Sequence, residues 1–66
     1  MNTKLTVLLK DFGYKVTGCD LIEMAWRGGP ARTIRQCRGL FDAAEQLIPL
    51  LRDDEFYSRF CKITNQ

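Results

Sequence analysis

Between residues 30 and 51 the apolar side chains Ile34, Cys37, Phe41, Ala44, Ile48 and Leu51 recur at alternating steps of three and four. That spacing sets them along one face of an α-helix as a heptad seam. It predicts a long central helix that packs lengthwise against something else. Leu40 and Leu47 flank the seam one position before Phe41 and Ile48, so the apolar arc is broad enough for two contacts, one within the chain and one between chains. In a chain of 66 residues this matters, because small domains bury a low share of their surface and commonly draw on a partner, a covalent staple or a metal.

Staples and metals find little support. Cys19, Cys37 and Cys61 are widely spaced, form no Cys-x-x-Cys pair, and are accompanied by no histidine. A zinc site would therefore need carboxylates or a second chain. The cysteines are read as small buried hydrophobes in a reducing compartment, and no metal or cofactor is expected. The apolar run over residues 5–9 is broken by Lys10 and Asp11, too early for a signal peptide, and no segment approaches transmembrane length. A cytoplasmic protein without membrane contact is expected. An apolar fraction of 45% with 27% charged residues suits a folded domain rather than a disordered chain, here one helical domain over residues 1–66.

Thr3 is placed to cap a first helix with Leu5, Leu8, Leu9 and Phe12 on one face and Gly13 as its stop. The competing reading is a strand over residues 5–9 turning into a second over 14–17. Thr17-x-x-Asp20 resembles a capping box, and Leu21, Ile22, Ala25 and Trp26 then fall at helical spacing, predicting a second helix over about 18–27 that ends at Gly28 and Gly29. Pro30 suits the first turn of the third and longest helix. Two residues interrupt it: Gly39, at which Asp42-x-x-Glu45 offers a fresh start, and Pro49, which predicts a kink. The seam keeps its phase through both, which favours continuity at Gly39. Asp53, Asp54 and Glu55 open a last helix striped by Phe56, Phe60 and Ile63. The fold expected is thus all-α, with three to four helices around a long amphipathic one.

No catalytic set emerges: there is no histidine, Ser58 has no partner motif, and the acids at 53–55 suit helix caps. No enzyme and no small-molecule substrate are expected. The informative polar feature is basic, since no acid falls between Glu23 and Asp42 while Arg27, Arg32, Arg35 and Arg38 do. With Gln36 they form candidate contacts for an anion or nucleic acid. A helix-turn-helix DNA-binding regulator is the alternative function, with residues 31–36 as its recognition helix. Its register is faulty, because Glu23 and Arg27 fall where apolar residues are wanted.

The favoured expectation is a small regulator or inhibitor that binds another protein, and itself as a homo-oligomer. Its size and starting Met1 suit the stand-alone regulators common in phage and mobile elements. Candidate interface residues are Trp26, Ile34, Leu40, Phe41, Leu47, Ile48, Phe56 and Tyr57.

Overall fold

A computed structural model describes residues 3–24 and 29–65. The chain runs α1 (Thr3–Asp11), β1 (Tyr14–Thr17), β2 (Asp20–Glu23), β3 (Arg32–Gln36), α2 (Leu40–Leu51) and α3 (Asp54–Thr64). The strands form one antiparallel sheet in the order β1-β2-β3. The fold is therefore α+β, and the all-α expectation is overturned in the middle third of the chain.

The reasons are local. Gly13 turns the chain out of α1 at φ 90°, and the following segment is rich in β-branched and aromatic residues, which suit a pleated half-buried surface. Gly18 at φ 61° occupies the first of two turn positions between the paired residues Thr17 and Asp20, as a two-residue hairpin loop requires. The Thr17-x-x-Asp20 spacing that resembled a helix cap is the mouth of this hairpin. Within the helix expected over 18–27, residues 20–23 form β2 instead, with Leu21 on the core face, and residues 25–27 lie outside the described residues. The competing reading was right that 14–17 is extended, but its partner is β2 and residues 5–9 are helical.

The long helix also fails. Residues 32–36 form β3, and Gly39 stands before α2 at φ 147°, ψ −171°, a conformation open essentially to glycine alone. Ile34 and Cys37 thus leave the seam, and only its second half, from Phe41 onward, is helical. A register shift between Leu21 and Ile22 leaves Ile34 without a cross-strand partner, since Leu21 faces Arg35 and Ile22 faces Thr33. Such a bulge bends and twists an edge strand. Pro49 lies inside α2, which continues to Leu51. There the helix ends, with Arg52 in the left-handed conformation donating its N–H to the carbonyl of Ile48. Asp53 caps α3 as its acidic start predicted, its side chain accepting from the N–H of Phe56 at 2.9 Å.

One core holds these elements together. Leu5, Leu8 and Leu9 of α1, Leu21 of β2, Cys37, Ala43, Ala44 and Leu47 of α2, and Phe56 and Phe60 of α3 are buried as one cluster. Phe12 meets Phe56 edge to face at 5.1 Å between ring centres, the arrangement aromatic quadrupoles prefer. The sheet's other face carries the row Lys15, Ile22 and Thr33, of which Lys15 and Thr33 are exposed and Ile22 half-buried. The helices therefore cover one side of the sheet only.

Candidate protein-binding surface

The α2–α3 hairpin presents the clearest apolar surface. Successive helical turns bring residues three and four apart to one face. In α2 this aligns Phe41, Glu45 and Ile48, and in α3 it aligns Tyr57 and Phe60, one turn on from the cap Asp53. The ring of Phe41 packs on that of Phe60 at 5.4 Å, which fixes how the two helices face each other. Phe60 is buried, yet Phe41 remains 44% exposed and Tyr57 54%, while Ile48 is half-buried. Hydrogen bonding to Cys61, together with the charge Cys61 carries when ionised, raises the phenol of Tyr57 above its ordinary value of 10.0.

Acids flank this apolar ground. Glu45, Asp53 and Asp54 are exposed, and Arg52 is the only cation between Asp42 and Glu55. Glu55 is drawn to the other flank of α3, where Arg59 bridges it at 3.9 Å and also holds Asp11 of α1 at 3.0 Å.

Among the other interface candidates, Leu47 and Phe56 are fully buried core residues, and Ile34 and Leu40 are half-buried against that core. Trp26 lies outside the described residues. Two exposed apolar side chains went unnoticed in the sequence, Val7 and Leu50. Val7 lies with Ile63 in a groove of about 360 Å³ between α1 and α3, beside Lys4, Arg59 and Lys62. Its position off the Leu5, Leu8, Leu9 face of α1 was the available signal.

Arg32, Arg35 and Arg38 sit on a strand and the turn after it, so the recognition helix expected over residues 31–36 does not exist. Arg32, Arg35 and Gln36 are exposed on β3, Arg38 is exposed just before α2, and Arg27 lies outside the described residues. Arg32 Nε meets Glu23 Oε1 across the sheet at 3.1 Å. Glu23 also accepts from Tyr14, whose phenol is raised first by burial and then by the charge and hydrogen bond of Glu23. Arg35 Nη1 reaches Gln46 Oε1 at 3.4 Å. The N–H of Arg38 and the Nε2 of Gln46 both donate to Asp42 Oδ2 at 2.9 Å, and these two bonds hold the Asp42 carboxyl below its ordinary value. The chain is consequently polarised, basic along the β3 edge and acidic around the α2–α3 hairpin.

Among the described residues no group of three or more histidine, cysteine or acidic side chains is placed to hold a metal ion, and no helix is long and apolar enough to cross a membrane. No family model, curated protein or solved structure matches this chain.

Proposed function

We propose that the chain is a small cytoplasmic regulatory protein that binds another protein, as an inhibitor or sequestering factor, through the α2–α3 surface. The observation that carries this reading is the pair Phe41 and Tyr57, two large side chains left about half exposed on facing helices beside Glu45, Asp53 and Asp54. Exposed aromatic residues of this kind serve as anchors in protein interfaces, and an acidic rim selects the charge of what docks. The occupant that fits is an amphipathic helix of a partner protein, with an apolar stripe bordered by lysine or arginine.

A synthetic helix with a leucine stripe and lysine borders provides the probe, and the same helix with glutamate borders is its control. Fluorescence anisotropy should show the lysine-bordered helix bound by the wild type, with affinity lost in Tyr57→Asp and reduced in Glu45→Lys. Lys62→Glu, in the groove between α1 and α3, should bind as the wild type does. Equal binding of both helices, or indifference to Tyr57→Asp, overturns the assignment. Light scattering identifies the remaining possibility. A wild-type dimer that Phe41→Asp converts to monomer makes a second copy the occupant, and the foreign-helix reading then fails.

A further inference from the structure

Cys37 donates its main-chain N–H to the carbonyl of Cys19 at 2.8 Å. This bond lies one step beyond the pair Asp20 and Gln36, the last in the β2–β3 register at that end of the sheet. The two cysteines therefore stand opposite each other where the ladder continues past both strands. Opposed residues at a hydrogen-bonded site lie about 5.5 Å apart at Cα with their side chains on one face, and a disulfide spans about 4.4–6.8 Å between Cα atoms. The cavity they share, of about 490 Å³, is also lined by Gln36, Arg38, Asp42 and Gln46. Their exposures are unequal. Cys19 is open to solvent in the hairpin turn, whereas Cys37 is only 5% exposed.

We propose that Cys19 and Cys37 are a reversible thiol pair that closes to a disulfide by exchange with a low-molecular-weight disulfide of the glutathione type. The Cys19 thiolate attacks one sulfur of the oxidant, forming a mixed disulfide and releasing the other half as a thiolate, which takes up a proton. Cys37 then gives up its thiol proton and attacks the Cys19 sulfur, closing the internal bond and releasing the second half. The protein gives up two electrons and two protons, and the oxidant ends as two thiols. Unequal exposure orders these steps, because the oxidant reaches Cys19 while Cys37 waits beneath it.

The geometry makes this bond a switch rather than a staple. A disulfide needs its Cβ atoms about 3.5–4.5 Å apart, closer than the ladder sets them, so closure pulls the turn at Gly18 and Cys19 inward. Strain of that kind makes a disulfide easier to reduce. Once closed, it ties the hairpin turn to the segment that leads through Arg38 into α2.

The test is incubation of the whole protein with oxidised glutathione, followed by alkylation of free thiols and mass spectrometry of the intact chain and its peptides. The wild type should lose two hydrogens and yield a cross-linked peptide joining Cys19 to Cys37, with Cys61 alkylated, and a small dithiol should reverse the change. Cys37→Ala, checked for its fold by circular dichroism, should stop with one glutathione on Cys19. Cys61→Ser should close as the wild type does, which keeps the prediction testable if the Cys37 variant unfolds. A wild type that accumulates glutathione on Cys19 without closing, fails to react, or links Cys19 to Cys61 or to another chain overturns the proposal.

Discussion

Gln46 of α2 donates its side-chain amide to the main-chain carbonyl of Gln36 at 3.0 Å, so a helix closes off part of the free edge of the sheet. Cys37 turns its N–H inward to Cys19, and Gln36, its neighbour in an extended segment, turns its carbonyl outward to Gln46. The bulge at Ile34 and the arginines along β3 add to this protection, for bulges and charges are common means of keeping edge strands from pairing with one another. Gln46→Ala, which also removes the bonds to Asp42 and Arg35, should lower stability to urea by at least about 0.5–1.5 kcal/mol, the usual net value of one hydrogen bond. It should also raise the tendency to associate at high concentration, read by sedimentation. Unchanged values for both would show that the edge does not depend on this contact.

Gly39 is the hinge of the chain's architecture. A Cβ added there would meet nothing within 4 Å, so the penalty of Gly39→Ala is purely one of backbone conformation. At φ 147° it should cost about 1–3 kcal/mol. Guanidinium unfolding measures this, and a more stable variant would mean that the chain enters α2 by a different route.

Asp42 gives the acid limb of stability a specific origin. Its folded-state carboxyl is held below 3.8 by the N–H of Arg38 first and Gln46 second. The contribution of the ionised form is therefore complete at neutral pH and is lost as pH falls below about 4 toward the folded value. Asp42→Asn should flatten that part of the stability profile. Thermal unfolding between neutral pH and pH 3 checks it, and parallel profiles for the two proteins would contradict it.

Leu47 and Leu50 differ by less than one helical turn and should behave oppositely. Leu47 is fully buried and Leu50 is 48% exposed. Leu47→Ala should cost about 2–5 kcal/mol through lost contacts and a residual cavity. Leu50→Ala should stay within about 0.5 kcal/mol, as surface substitutions commonly do. Comparable losses at both positions would place α2 in a different rotation on the core.

Elements with strong boundary chemistry were legible in the sequence. Gly13 ends α1 and Asp53 caps α3, and both helices have the apolar spacing to match. The central strands were not legible because they span only four or five residues, within which Leu21 and Ile22 satisfy a helical period as readily as an alternating one. The seam through Ile34, Cys37 and Phe41 misled for a related reason. Steps of three and four persisted by coincidence across Gly39, where the backbone leaves the helical region. At the proposed binding surface, spacing marked Phe41, Leu47, Phe56 and Tyr57 alike as apolar. Which two of the four would be buried depends on how α2 and α3 lie against α1 and the sheet, and no local pattern carries that.

The bridge from Arg59 to Asp11 joins residues 48 positions apart and brings α3 against α1. On the ribosome α1 emerges first, and its face of Leu5, Leu8 and Leu9 must then wait for Phe56 and Phe60 to leave the exit tunnel before the core can close. Assembly is thereby deferred to the end of translation of this segment. Nascent chains arrested before α3 have only the sheet and α2 to cover that face, without Phe56 and Phe60, and they are the species that chaperones will have to hold.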